Sequence, residues 1–276
     1  MDKINLGIYE KALPNKLNIH RKLSLAKKIG FDQLEISIDE TDEKLNRLYN
    51  SFAYELAKAQ REEGIRIRTM CLSGHRKYPF GSLNFYTRSR SLEIMRRAIE
   101  FADINGIKII QLAGYDVYYE KSNEETEKYF AENLAKAVEM ASKYGVILAF
   151  ETMETEFMDT VEKAMKYVNL IDSPYLGIYP DIGNLKNAAV KYGTDVTEDL
   201  KLGRGHIFAA HLKETNPGIY RDMTFGSGGH TEYESSVAEL KSQGVGIYTG
   251  EFWDHEEENY EEIITDAYKF LTEKLQ

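Results

Sequence analysis

SKYGVILAFET, residues 142–152, holds in one short stretch the phrase that the rest of the chain repeats. A helix end is followed by Gly145, five apolar residues and then Glu151. Glycine just past a helix takes the left-handed conformation without a Cβ clash, and so stops the helix. The run after it is short and apolar on both faces, the pattern of a parallel strand buried between layers. The phrase recurs as KKIG (27–30) before DQLEISI (32–38), REEG (61–64) before IRIRTMCLS (65–73) and DING (103–106) before IKIIQLAG (107–114). It returns as GRG (203–205) before HIFAAHLKE (206–214) and KSQG (241–244) before VGIYTGEFW (245–253). LGIY (6–9) and LGIYPDIG (176–183) bring the strands to eight.

The intervening stretches read as helices. Leu92, Met95, Ala98, Ile99 and Ala102 recur with helical spacing along one face. Ser122 with Glu125 resembles a capping box ahead of Phe130, Leu134 and Val138, and a closing helix is expected over 258–273. Alternating strand and helix throughout argues for a parallel α/β fold. Eight units favour closure into a (β/α)₈ TIM barrel, with an open doubly wound sheet as the alternative. The 276 residues lie near the roughly 250 typical of such a barrel. A single domain over 1–276 is therefore expected, although length alone would allow two.

Forty-five acidic against 35 basic residues give a net charge of −10. That balance speaks against broad binding of nucleic acid or anionic membrane, which needs a basic face. The single Cys71 cannot form an intramolecular disulfide, which fits a reducing compartment. Met1 to Glu10 lacks a signal-peptide pattern and no apolar run approaches 18 residues, so a cytoplasmic protein is expected.

In a (β/α)₈ barrel the functional groups sit at the C-terminal ends of strands. VILAFE ends on Glu151, LGIYPD on Asp181, IFAAH on His211 and GIYTGE on Glu251. Taken singly, a strand-end acid is usually a helix cap or a solvated charge, and a lone His a hydrogen-bonded core residue. Four in succession, at equivalent places in the repeat, are harder to read that way. Adjacent strands lie about 4.8 Å apart, so the four side chains can converge. Three carboxylates that close repel one another, and one divalent cation resolves the repulsion. The donor set suits Zn²⁺, Mn²⁺, Mg²⁺ or Co²⁺ without choosing among them.

LGIYEKALP (6–14), EIMRRAIEFA (93–102), IQLAGYDVYY (110–119), YPDIGNL (179–185) and HLKETNPG (211–218) carry a resemblance across nearly the whole chain. The sequence resembles the xylose-isomerase-like barrel superfamily, in particular its ketose 3-epimerases. It is most similar to the L-ribulose-5-phosphate (L-xylulose-5-phosphate) 3-epimerases of ascorbate catabolism. The resemblance implies that Glu151, Asp181, His211 and Glu251 bind a divalent metal, with Glu151 and Glu251 also acting as acid and base. It further implies a homodimer. It departs from the wider superfamily at Asn184, where many relatives carry a His, which counts against a second metal at that corner.

Epimerisation at C3 of a 2-ketose needs a proton removed beside the carbonyl and one returned on the opposite face, hence two acid/base groups. A metal chelating O2 and O3 would polarise the carbonyl and stabilise the enediolate. Glu151 and Glu251, from strands five and eight, can flank the substrate. Substrate and phosphate contacts are expected further out, on His75, Arg76, Asn184, Lys213 or Arg221, with the backbone of GSGG (226–229) as a further candidate. Three other readings stay open: an aldose–ketose isomerase of a sugar phosphate, a DNA-repair endonuclease of related barrel type, and a non-catalytic sugar-phosphate sensor. The first would use the same metal. The second would want a His-rich multi-metal cluster and a basic face, against six His and −10 here. Intact Glu151 and Glu251 speak against the third.

Overall fold

The computed structural model describes residues 4–276, so residues 1–3 of the expected domain lie outside the described residues. Eight strands follow in order: β1 Asn5–Tyr9, β2 Gln33–Ile38, β3 Arg66–Leu72, β4 Ile109–Ala113, β5 Ile147–Glu151, β6 Leu176–Tyr179, β7 Ala210–Leu212 and β8 Ile247–Gly250. Each ladder is parallel, successive strands from β1 to β6 are neighbours, and β1 pairs with β8 and β8 with β7. Between β6 and β7 the ring is joined by isolated parallel bridges, Ile178 to Ile207 and Asp181 to His211. Pro180 has no N–H to give there, although its carbonyl accepts from His211 N at 2.9 Å. This is why the seventh strand is three residues long where the sequence suggested most of 206–214. The barrel reading holds over the open sheet.

Around the ring run α1 Ile19–Ile29, α2 Asp42–Asn46, α3 Phe52–Glu63, α4 Phe85–Asn105, α5 Glu124–Ser142, α6 Val161–Ile171, α7 Ile182–Tyr192, α8 Val196–Leu202, α9 Tyr233–Ser242 and α10 Tyr260–Lys274. The periodic residues Met95, Ala98, Ile99 and Ala102 are buried on α4, and Leu92 is partly buried against the same core. Phe130, Leu134 and Val138 do the same on α5, and Ile264, Ala267 and Leu271 on α10. Gly145 ends the α5 unit with φ +63°, as the repeated phrase requires. The cap at the start of α5 lies one residue later than expected. Asn123 Oδ1 accepts from Thr126 N and Thr126 Oγ1 accepts from Asn123 N, whereas Ser122 donates to Asp116. No described helix is long and apolar enough to cross a membrane.

Gly177 of β6 sets the spacing at the β6–β7 seam. A Cβ there would lie 2.3 Å from the Phe208 ring and 2.4 Å from the His206 carbonyl oxygen. The backbone atom cannot move aside without opening the seam. Gly177→Ala is expected to destabilise the protein by about 1–3 kcal/mol, the usual range for overpacking. Urea denaturation reads it; an unchanged midpoint would show that the seam tolerates the methyl.

Candidate metal centre

The C-terminal ends of β5 to β8 bring Glu151, Asp181, His211 and Glu251 together, with one ligand atom from each lying within 4.8 Å of all the others. All four are buried. Glu151 closes β5, and strand alternation sends its neighbour Phe150 outward onto Phe130 and Tyr167, with ring centroids 6.1 and 6.4 Å away. That aromatic packing fixes the strand behind the carboxylate. Asp181 is the N-cap of α7. Its Oδ1 accepts from Gly183 N and Asn184 N, both at 2.9 Å, which leaves Oδ2 for the cluster. His211 sits in the middle of β7, and Glu251 follows β8 directly, its N–H donating to Leu212 O at 2.9 Å.

His211 Nδ1 lies 3.2 Å from Glu151 Oε1 and 3.6 Å from Glu251 Oε2. Its Nε2 lies 2.7 Å from Oε1 of Glu35, a fully buried residue of β2. Glu35 Oε2 in turn accepts from the Tyr179 hydroxyl at 2.9 Å, and that hydroxyl lies 3.0 Å from Thr249 Oγ1. Lys213 is buried too, with Nζ 2.5 Å from Asp181 Oδ2 and 3.0 Å from Glu251 Oε2.

The electrostatics show how crowded the negative charge is. Burial and the Glu251 charge push Glu151 up. Burial, with the Glu251 and Glu151 charges, raises Asp181 to about 7 despite Lys213. Burial also works against the charged form of Glu251, but Lys213 and His211 outweigh it and hold that carboxyl at about 2. His211 is pushed well up, because Glu35 and Glu251 outweigh its burial. Three carboxylates with one lysine leave two negative charges beside the imidazole. One divalent cation balances them.

The donors fit such an ion. Three carboxylates and one imidazole form a hard, mixed oxygen–nitrogen set with room for a fifth or sixth ligand. Asp181 Oδ2 and Glu251 Oε2 are buried and have no hydrogen bond of proper geometry; the Lys213 ammonium lies near both, and His211 Nδ1 near Glu251 Oε2. Buried oxygens of that kind are costly unless something binds them.

Tyr9, Cys71, Arg76, Glu154, Asn184, Lys213, Tyr220, Arg221 and Trp253 line a cavity of about 50 Å³ over Glu151 and Glu251. Of the residues expected to meet phosphate, Arg76 and Arg221 stand at this mouth, 3.8 Å from Glu40 and 3.7 Å from Glu154. Asn184 also lines it, donating to Thr152 O, with Oδ1 unpartnered. Lys213 reaches inward to the acids. His75 is a correction: the turn after β3 directs it into the core, where Nε2 meets Ser91 O at 3.1 Å and the ring packs on Phe80. Trp253 and Cys71 both reach the cavity, whereas Phe252 is buried against Phe225.

A second cavity, of about 590 Å³, adjoins the first and shares Lys11 and Trp253 with it. One of its walls is a buried ion cluster that no local sequence pattern announces. Glu10 accepts from Lys44 at 2.7 Å and Arg47 at 2.8 Å, with Lys22 at 3.4 Å. Within this cluster three cations meet one carboxylate, whereas the cavity as a whole is lined by the cations Lys11, Lys22, Lys44 and Arg47 and the acids Glu10, Asp39, Glu43, Glu55 and Asp254. Burial pushes Lys44 down, as does the neighbouring Arg47, against the pull of Glu10.

A family model described as the xylose isomerase-like TIM barrel matches residues 23–274. The chain is 45% identical over 260 residues to the L-ribulose-5-phosphate 3-epimerase UlaE of Salmonella heidelberg (strain SL476), covering 93% of this chain and 90% of that protein. It is 46% identical over 254 residues to the protein of the same name from Escherichia coli (strain SMS-3-5 / SECEC), covering 91% and 88%. Among solved structures, the IOLI protein with a bound zinc superposes with a TM-score of 0.81 at 21% identity, over 99% of this chain and 98% of that one. An L-ribulose 3-epimerase does so at 0.78 and 17%, over 99% and 94%. At those identities the structures speak for the fold alone.

Proposed function

The chain belongs to the xylose isomerase-like TIM barrel family, among the L-ribulose-5-phosphate 3-epimerases, and on that footing we propose that it interconverts L-ribulose 5-phosphate and L-xylulose 5-phosphate. The observation that carries this reading is the buried set Glu151, Asp181, His211 and Glu251 at the mouth of the barrel. These four residues would hold a divalent ion, which would supply a Lewis acid for the C2 carbonyl and for the charge left when the C3 proton departs. Glu151 and Glu251, separated around the ring by β6 and β7, take the two faces of C3. One removes the proton and the other returns one, which inverts the centre. Burial under Tyr9 and Trp253 keeps bulk water from quenching the carbanion equivalent between those events.

The size of the space supports a substrate that reaches beyond this pocket. About 50 Å³ is far below the roughly 300 Å³ at which small-molecule sites begin, whereas the adjoining 590 Å³ lies within their range. Within that second space we assign the phosphate to the end at Glu10, where three cations meet one carboxylate, with Lys44 and Arg47 as its partners. Arg76 and Arg221 then serve the mouth. Lys44→Met is expected to lower kcat/KM for the phosphorylated ketose about 10–100-fold, the scale of one charge-assisted hydrogen bond. Turnover of the unphosphorylated ketose should change little. An equal loss on both substrates would move the phosphate elsewhere.

Incubation in deuterated water separates this activity from an aldose–ketose isomerase. Proton NMR of L-ribulose 5-phosphate should show deuterium entering at C3 as L-xylulose 5-phosphate appears. Label at C1 with formation of an aldose phosphate would replace the epimerase reading by the isomerase one.

A further inference from the structure

We infer that Glu35 is a positioning residue for the metal centre, fixing which ring nitrogen of His211 faces the ion. This rests on the reading that the four strand-end residues hold a divalent cation. Glu35 lies in β2 between Leu34 and Ile36, is fully buried, and is not one of the four converging donors. A charged residue there is costly unless both oxygens are used. They are: Oε1 meets His211 Nε2 at 2.7 Å and Oε2 accepts from Tyr179 at 2.9 Å. The pairing of β2 with β3 shifts register between Leu34 and Ile36, at Glu35 itself. Such irregularities re-aim a side chain beside active sites.

The chemistry follows from the proton count on the ring. With Nε2–H donated to Glu35, the lone pair of Nδ1 points toward Glu151 and Glu251, where an ion would sit. The opposite tautomer would set two acceptors against each other at 2.7 Å and turn an N–H on the cation. Tyr179, itself placed by Thr249, keeps Glu35 from rotating away. A carboxylate behind a ligating imidazole also raises its basicity, and loss of such a partner commonly weakens metal binding 10–100-fold.

Zinc affinity by chelator competition, without substrate, tests this on Glu35→Ala and Glu35→Gln. Thermal melts of the metal-free proteins report the fold, and ¹⁵N NMR of His211 in the metal-free proteins, at a pH high enough for the ring to be neutral, reports the tautomer. Glu35→Ala is expected to bind zinc about 10–100-fold more weakly and to lose the single Nε2–H form. Glu35→Gln retains a carbonyl acceptor, so it should keep that form and fall between the other two in affinity. If the alanine variant does not melt cooperatively, the glutamine variant decides alone. Wild-type affinity in both variants, or in Glu35→Gln when it stands alone, overturns the inference, as does an unchanged tautomer in a folded Glu35→Ala. Wild-type protein that takes up no zinc or other divalent ion would instead remove the metal reading, and this inference with it.

Discussion

Turnover should fall by roughly 10²–10⁴-fold when either Glu151 or Glu251 is changed to Gln, the range general acid–base catalysis supplies. The amide matches the carboxylate in shape but can neither take up nor return a proton. Each side chain sits at a strand end over the barrel, so the replacement disturbs no core packing. Burial and the Glu251 charge already disfavour a charged Glu151, so in the metal-free protein the melting temperature of Glu151→Gln should stay level or rise. A finer signature separates an acid/base role from ligation. With one carboxylate left, one epimer should still exchange its C3 proton with deuterated water although neither epimer is converted. Because the two act as a unit, the double variant should lose little more than the worse single one. Measuring bound metal in each variant shows how far weaker ligation adds to the loss. A double variant that keeps more than about a hundredth of wild-type turnover would contradict the assignment.

Chelation of the purified enzyme should remove essentially all activity, and one equivalent of Zn²⁺, Mn²⁺, Mg²⁺ or Co²⁺ should restore it. The barrel should remain folded throughout. Its core is a continuous apolar cluster running from Leu6 to Leu275, and the four donors lie above it. A chain of this length buries roughly three quarters of its unfolded surface and needs no metal to close. The ion should still register as stability, since a ligand at a hundred times its Kd adds about 2.7 kcal/mol. The melting temperature should thus rise with added ion in the wild type and much less in Asp181→Asn. Full activity after exhaustive chelation would leave the carboxylate cluster without the role given it here.

How much of this was legible in the chain depended on where each signal lay. Helix, glycine and strand repeat locally, so the barrel could be read from Gly145, Gly64 and Gly106 and the apolar runs after them. The four converging donors were legible because each ends a strand, and strand ends meet in a barrel. Glu35 carries a sequence signal of its own: in DQLEISI it is an acid set between Leu34 and Ile36 on a fully buried strand, a place where a carboxylate needs a partner. His75 was misplaced because the short helical turn over Ser73–Arg76 reverses the side chain into the core, which the local sequence does not announce. The cap of α5 slipped by one residue because Ser122 and Asn123 are both competent caps, and Asp116 claims the serine. The cluster of Glu10 with Lys22, Lys44 and Arg47 joins three separate segments, since Lys44 and Arg47 share α2 and its C-terminal cap. No local pattern encodes it.

Anomalous diffraction from crystals soaked in Mn²⁺ or Zn²⁺ tests the central claim most directly. A single strong peak is expected about 2.0–2.3 Å from one oxygen each of Glu151, Asp181 and Glu251 and from His211 Nδ1, with Lys213 displaced from its contact with Asp181. A peak elsewhere, or none at that point while the protein binds metal in solution, would contradict it.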